Sequence, residues 1–319
     1  PADGYSFWYS LFVQIGTIAY LFLALFFLKK LLQLYQVNDN HIALLLLTFT
    51  FGTNVFYYTI SEPSMSHIYS FSFVSGFLFF VKRFFQSFNY KHALLASLFL
   101  GLVILVRPVN ILIVTAIPFM AGSPDVFLKG LKYFLKNYFV AVTCAGIVVS
   151  IVSLQLIIYK IQTGSFFIYS YNEEGFNWLD PQISNFLFSY KKGLFVYMPV
   201  LFLTMVFGLG ILTMKDRYLL LNFLLAFLLV TYVLSSWWNW YYGGSFGQRV
   251  VIEYYPLFAL LAGITLNCAK KYVQKLLVSL YFLCIVVCQI QTYQYRYGII
   301  HWEEMNKEKY WDVFLKIDL

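Results

Sequence analysis

The sequence predicts an all-α fold, a polytopic bundle of transmembrane helices, from its composition and from the pattern of its apolar runs. Hydrophobic residues make up 61% of the 319 residues and charged residues 11%, whereas soluble chains carry roughly 45–50% and about 25%. A water-soluble globule of this size could not hide so much apolar surface behind so few charges. The apolar runs are continuous rather than alternating in polarity, which excludes a transmembrane β-barrel.

Apolar runs bounded by polar residues define the predicted helices in chain order, and several are long enough to cross ~30 Å of hydrocarbon. They cover residues 7–28, 41–60, 67–81, 92–106, 109–122, 138–158, 194–214, 218–236, 250–268 and 276–295. We therefore expect about ten spans in a single transmembrane domain over residues 1–319.

The runs 92–106 and 109–122 are short, and Arg107-Pro108 separates them. Proline removes a backbone donor and disfavours helix at the residue before it, and an arginine that faces lipid is costly. We expect two short helices that meet at a polar break inside the bundle. The alternative, one span over 92–122, would invert the topology of everything after it.

Basic residues between the runs set the predicted orientation, because an excess of Lys and Arg in short loops marks the cytoplasmic side. They are Lys29, Lys30, Lys82, Arg83, Lys91, Lys129, Lys132, Lys136, Lys215, Arg217, Lys270, Lys271 and Lys275. The opposite, periplasmic side then receives outer loops at 61–66, 159–193 and 237–249 and the tail 296–319, with the protein in the inner membrane of the cell. Topology accounts for the net charge of +8, so we expect membrane lipids and no nucleic acid as partners.

Basic residues also stand where predicted helices start from the outer side. Free N–H groups and the helix dipole attract anions at such an end, whereas a cation there opposes the dipole unless an anion lies beside it. We therefore predict a phosphate site. Its candidates are Arg107, Lys191, Lys192 and Arg249. Two alternatives stay open: Lys191 and Lys192 could extend to lipid headgroups, and Arg249 could pair with Glu253 on the same helix face.

The outer loops further carry aromatic, amide and acidic residues that suit a sugar. The rings of 237–242 can stack on it, and the glycines of 243–247 allow the backbone to approach it closely. The predicted sugar- or acceptor-binding residues are Asn110, Tyr171, Glu173, Trp237, Trp240, Tyr242, Gly244 and Glu253. The alternatives are an aromatic belt at the membrane interface and, for Glu173, a solvated loop edge.

Several short motifs resemble those of the GT-C membrane glycosyltransferases. Residues 240–249 (WYYGGSFGQR), followed by an apolar helix with Pro256, resemble the late outer-loop signature of this superfamily, which includes the protein O-mannosyltransferases and the bacterial aminoarabinose transferases. The segments 65–71 (MSHIYSF), 107–110 (RPVN) and 187–193 (LFSYKKG) resemble a bacterial, mannosyltransferase-like branch.

The resemblance implies a sugar donor linked to a polyprenyl phosphate, and a hydroxyl acceptor on a protein, lipid or glycan at the outer face. Inversion at the sugar carbon requires a carboxylate base and a cationic pocket for the departing phosphate. The family's base lies in the first outer loop, which would precede Pro1, so we expect an N-terminally truncated chain that is inactive alone. Within this sequence the catalytic candidates are Glu62 and His67, with Glu173 as a further carboxylate, and a hydrogen-bonded structural role is the alternative for His67.

These patterns favour an integral-membrane glycosyltransferase that uses a lipid-phosphate-sugar donor. No metal-ligand spacing is present in the sequence, no cofactor is implied beyond the donor, and a divalent metal requirement stays open. A transporter or flippase for a lipid-linked or anionic solute is the alternative, because a helix broken at an arginine also suits transport. A non-catalytic membrane subunit is the third hypothesis.

Overall fold

The computed structural model describes residues 6–169 and 174–317, and helices make up most of both ranges. The first half contains helices Phe7–Leu34 (α1), Asp39–Phe51 (α2), Val55–Ile60 (α3), His67–Ser87 (α4), Tyr90–Val106 (α5), the 3-10 helix Pro108–Ala116, Ile117–Ala121 (α6), Pro124–Lys136 (α7) and Tyr138–Thr163 (α8). The second half contains Ile183–Phe188 (α9), Leu194–Tyr197 (α10), Pro199–Lys215 (α11), Arg217–Ser235 (α12), the 3-10 helix Arg249–Tyr254, Tyr255–Cys268 (α13), Lys271–Arg296 (α14) and Lys307–Val313 (α15). Among the described residues, Phe176 and Trp237 form an isolated antiparallel β-bridge.

The described helices include six that are long and apolar enough to cross a membrane, and this confirms the predicted all-α membrane protein. They are Phe7–Leu34, His67–Ser87, Tyr138–Thr163, Arg217–Ser235, Arg249–Cys268 and Lys271–Arg296. A seventh candidate is the bent pair Pro108–Ala121 and Pro124–Lys136. The prediction of about ten spans was therefore too high.

Three kinds of local structure account for the difference. The run 41–60 is split between α2 and α3. Helices α5 and α11 each have 17 residues, which gives about 25 Å at 1.5 Å per residue, less than the ~30 Å of a full span. Most of the run 109–122 winds as a 3-10 helix, and the following α7 turns by 119° away from it.

The split between α2 and α3 shows how buried partners override a continuous apolar pattern. Asn54 is fully buried, its Nδ2 donates to the Phe246 carbonyl at 2.9 Å, and its Oδ1 accepts from the Tyr255 hydroxyl at 2.7 Å. A buried amide needs such partners, and both are distant in the chain. The break therefore attaches this helix pair to the loop before α13.

Contacts between the helices define two ends of the bundle. At one end, Nζ of Lys82 donates to the Met120 carbonyl at 3.2 Å and lies 4.4 Å from the centroid of the Tyr35 ring. The ends of α1, α4 and α6 therefore meet there, and we call this the basic end because Lys29, Lys30 and Arg83 lie on the same helix ends.

The other end is called the loop end. There the Thr17 hydroxyl donates to the Pro63 carbonyl at 2.7 Å, and the turn before α4 thus lies against α1. The segment 237–249 contacts the same region through Phe246. Loop 159–193 starts later than predicted, because α8 continues to Thr163, and the tail after Arg296 contains α15.

Candidate functional site

Glu253 is fully buried at the loop end, and its carboxylate is surrounded by three residues that the sequence had singled out. Its Oε1 lies 3.0 Å from Nδ1 of His67 and 3.2 Å from NH1 of Arg107, and it accepts from Asn110 Nδ2 at 3.4 Å. We call His67, Arg107, Asn110 and Glu253 the buried cluster. A buried carboxylate is stable only beside such donors and an opposite charge.

The imidazole of His67 lies between the two charges of this cluster. NH1 of Arg107 is 3.3 Å from Nε2 of His67. The same NH1 lies 2.8 Å from Nδ1 of His67, and that nitrogen is 3.0 Å from Oε1 of Glu253. The ring of His67 therefore hydrogen-bonds both charged groups of the pair.

Two 3-10 helices and the start of α4 bring the buried cluster together. Arg107 directly precedes the 3-10 helix Pro108–Ala116, and Glu253 lies within the second, Arg249–Tyr254. Asn110 links all three elements, because it donates to Ser70 Oγ at 2.7 Å and accepts from the Tyr254 hydroxyl at 3.3 Å. The ion pair between Arg107 and Glu253 thus fastens two irregular segments to each other.

Arg249 and Lys192 are the second feature of the loop end. NH1 of Arg249 donates to the Gly244 carbonyl at 3.4 Å and lies 4.0 Å from Sδ of Met65. Among the described residues it forms no ion pair, so the predicted alternative of a pair with Glu253 is not formed. Its guanidinium therefore brings a positive charge that no described carboxylate neutralises.

Lys192 is almost completely buried, with 2% of its surface exposed. Its ammonium donates to the Ser245 carbonyl and lies 5.4 Å from the centroid of the Tyr295 ring. Burial, together with the positive charges of Arg249 and Lys191, lowers the pKa of Lys192 to about 7. A side chain this buried does not extend to lipid headgroups, which removes that alternative for Lys192.

Lys191 lies next to these two cations but has an acidic partner. Its Nζ is 3.5 Å from the centroid of the Tyr241 ring and 3.8 Å from Oε1 of Glu303. The Tyr241 hydroxyl donates to the same Glu303 oxygen at 3.3 Å. We call Lys191, Lys192 and Arg249 the basic cluster; among the described residues, Lys192 and Arg249 form no ion pair.

An apolar cavity begins beside the basic cluster. It has a volume of about 410 Å³ and lies between α11, α14 and the C-terminal helix α15. Its lining includes Tyr190, Pro199, Leu203, Leu280, Leu283 and Trp311. Tyr190, which precedes Lys191 in the chain, accepts a hydrogen bond from Trp311 Nε1 at 3.3 Å and forms the end of the cavity nearest the cations. The site therefore combines positive charge with an apolar channel wall, as an amphiphilic anion requires.

Glu62 lies on an aromatic wall near the basic cluster. Burial, together with the negative charge of the nearby Glu62 carboxylate, raises the pKa of Tyr57 to about 12. The Tyr57 ring packs against Phe246 and Tyr295 at centroid distances of 5.6 Å and 5.3 Å. Because Tyr295 also contacts Lys192, the predicted base and the predicted phosphate site share one wall.

The predicted sugar-binding residues are distributed over the loop end. Gly244 is exposed and accepts from Arg249, and Trp240 packs on Tyr241 at 5.6 Å. Tyr242 donates to the Leu234 carbonyl at 2.8 Å. Trp237 packs instead against Phe176, at 4.9 Å. Tyr171 and Glu173 fall outside the described residues.

Sequence reasoning missed several residues that shape the site. Tyr295 and Glu303 reach it from α14 and from the segment after it, and Tyr58 accepts from the backbone N–H of Phe246 at 3.0 Å. Tyr295 lies at the end of an apolar run and Glu303 in the C-terminal tail. No sequence pattern around either residue indicates that it belongs to the site. Their contacts with the basic cluster come only from the packing of α14.

The chain matches no family model, no curated protein and no solved structure. The six apolar helices define a helical membrane protein. The relation to the GT-C superfamily stays a resemblance of sequence motifs.

Proposed function

We propose that this membrane protein transfers a sugar from a polyprenyl-phosphate donor to a hydroxyl acceptor. The observation that carries the proposal is the combination of Arg249 and Lys192, which form no ion pair among the described residues, with an apolar cavity whose lining includes Tyr190, the residue before Lys191. A lipid phosphate needs both parts, because its chain must stay in an apolar environment while its phosphate binds cations.

The basic cluster would act mainly on the departing phosphate. As the bond between the sugar and the phosphate breaks, negative charge grows on the phosphate oxygens. Fixed cations in a site of low dielectric stabilise that charge far better than water does. Arg249 offers a planar fork of donors for this purpose, and Lys192 offers a buried ammonium beside it.

The attacking hydroxyl must lose its proton to a carboxylate. Among the described residues, Glu62 is the candidate for this base, because its carboxylate lies on the aromatic wall that also contacts Lys192. The oxygen of the acceptor bonds to the sugar carbon, the phosphate leaves with the bonding electrons, and the proton goes to the carboxylate. Trp240, Tyr242 and Gly244 border the loop that carries Arg249 and would contact the sugar.

The loop end would face the periplasm. The helix ends on the other side carry most of the scattered Lys and Arg residues of the short loops, and such residues favour the cytoplasmic side. Donor and acceptor would then meet at the outer face of the inner membrane.

Turnover of the donor by the protein expressed from its complete gene and purified into liposomes tests this proposal. Donors with radiolabelled mannose and with labelled aminoarabinose would be supplied together with a membrane extract as the source of acceptor. We expect the label to leave the lipid fraction and to enter a product that organic solvent does not extract. A label that stays on the lipid, yet moves between leaflets, would support the transporter and overturn the transferase.

A further inference from the structure

Helix α7, Pro124–Lys136, crosses the basic end of the bundle instead of running along it. Its axis turns by 119° from the preceding segment Pro108–Ala121, and the spanning helix α8 starts at Tyr138, directly after it. Helix α7 thus connects a segment inside the bundle with a helix that can cross the membrane. A helix in that position lies where the hydrocarbon of the bilayer meets the headgroups.

One face of α7 is fixed to the end of α4. A Cβ added at Gly130 would come within 2.6 Å of Cε1 of Phe85, so the two helices approach closely at that position. The rings of Tyr133 and Phe134 pack against Phe84 at centroid distances of 5.4 Å and 5.1 Å. The helix therefore has a fixed orientation around its own axis.

The opposite face carries two parallel stripes. Leu128, Leu131 and Leu135 are exposed by 50%, 47% and 80%. The residue after each leucine is a lysine, and Lys129, Lys132 and Lys136 are all exposed. Neighbouring residues on a helix point about 100° apart, so a leucine stripe and a lysine stripe run side by side along α7. No ion pair with these lysines occurs among the described residues.

We propose that α7 lies in the membrane interface and that its lysine stripe binds the headgroups of anionic phospholipids. The leucine side chains enter the acyl region beneath the headgroups, where lipid instead of water surrounds them. The lysines then lie at headgroup level, and their charge of one sign selects anionic over zwitterionic lipids. Arg83 and Lys91 are exposed at the same end and extend the basic surface.

Charge and position favour lipid over a protein partner as the occupant. Both stripes run the length of the helix without an acidic residue between them, since Asp125 lies in the first turn. At the hydrocarbon boundary, such a surface lies against lipid.

Native mass spectrometry of the full chain tests the proposal. The protein would be released from micelles that contain equal amounts of phosphatidylglycerol and phosphatidylcholine, and the bound lipids would be counted. We expect a preference for phosphatidylglycerol that falls roughly tenfold or more in K129Q/K132Q/K136Q, because each lysine near an anionic surface strengthens binding about fivefold. The variant K129R/K132R/K136R should keep the preference.

A matched control removes equal charge from the same end of the bundle. Lys270, Lys271 and Lys275 are exposed there but lie outside α7 and beside no leucine stripe, so K270Q/K271Q/K275Q should lower the preference clearly less than K129Q/K132Q/K136Q does. Equal binding of both lipids by the wild-type protein would overturn the proposal. So would an equal loss in the control, or a loss in the arginine variant as large as that in the glutamine variant.

Discussion

At the scale of single residues, the charge balance around Arg249 decides what the loop end can bind. Its described hydrogen bonds go to a carbonyl and a thioether, which are neutral, while Glu253 is already engaged by Arg107 and His67. A guanidinium in this setting has donors left for an anion.

Arg249→Ala should weaken binding of a polyprenyl phosphodiester by about 10- to 100-fold, the usual effect of losing a charge-assisted hydrogen bond. Arg249→Lys should recover only part of this, because an ammonium cannot form the two parallel hydrogen bonds of a guanidinium. Isothermal titration calorimetry in detergent measures the difference. Arg217→Ala, an exposed arginine at the start of α12, is the control and should bind normally; unchanged affinity in Arg249→Ala would remove Arg249 from the site.

The binding of the same phosphodiester should depend on pH through Lys192. The pKa of Lys192 is lowered to about 7, so the amine is charged below that value and neutral above it, whereas the diester keeps one charge throughout. Affinity should therefore fall as pH rises from 6 to 8. Lys192→Arg should abolish the fall, since arginine stays charged, and Lys192→Met should bind weakly at every pH. A flat profile in the wild-type protein would contradict this role of Lys192.

At the scale of elements, the turn before α10 holds the basic cluster in place. Gly193 has no room for a side chain: an added Cβ would lie 2.5 Å from both the N and the O of Ser189. These are backbone atoms, so they cannot rotate away as a flexible side chain could.

Gly193→Ala should therefore move Lys191 and Lys192, destabilise the protein by roughly 1–3 kcal/mol, and weaken binding of the phosphodiester. Thermal unfolding and calorimetry report the two effects. Gly146→Ala in α8, where an added Cβ meets nothing within 4 Å, should leave both unchanged. A Gly193→Ala protein with wild-type stability and affinity would show that this turn is not constrained.

Six of the predicted runs correspond to helices able to cross a membrane. The runs 41–60 and 194–214 are equally long and apolar but are divided into shorter helices, so hydrophobicity alone does not determine the outcome. The break at Arg107-Pro108 was also expected. The 3-10 winding of Pro108–Ala116 and the split at Asn54 were not, because both depend on hydrogen bonds to partners far away in the chain.

The candidate site followed the same pattern. Arg107, Lys192 and Arg249 could be found from their unusual places beside apolar runs. The partners of these residues could not be predicted. Arg107, and not Arg249, pairs with Glu253, because two 3-10 helices meet in the fold. The apolar cavity is formed by helices separated by long stretches of chain, and no sequence motif predicts it.

At the scale of the whole molecule, the two ends of the bundle should lie on opposite sides of the membrane. In a background with the four cysteines replaced, Ser165→Cys and Gly244→Cys should react with an impermeant maleimide in intact cells, whereas Gln33→Cys should not. All three positions are exposed. Permeabilised cells are the control, and there all three should react. Labelling of Gln33→Cys in intact cells would overturn the orientation.

The central claim is that the basic cluster and the apolar cavity form one site for a lipid phosphate. Photo-cross-linking tests it most directly, with a polyprenyl-phosphate-sugar analogue that carries a diazirine on the chain near the phosphate. Peptides mapped by mass spectrometry should carry the label at the end of the cavity nearest the cations, at or near Tyr190 and Trp311, and Arg249→Ala should strongly reduce it. Label spread over lipid-facing helices such as α8, at the same level with and without Arg249, would contradict the claim.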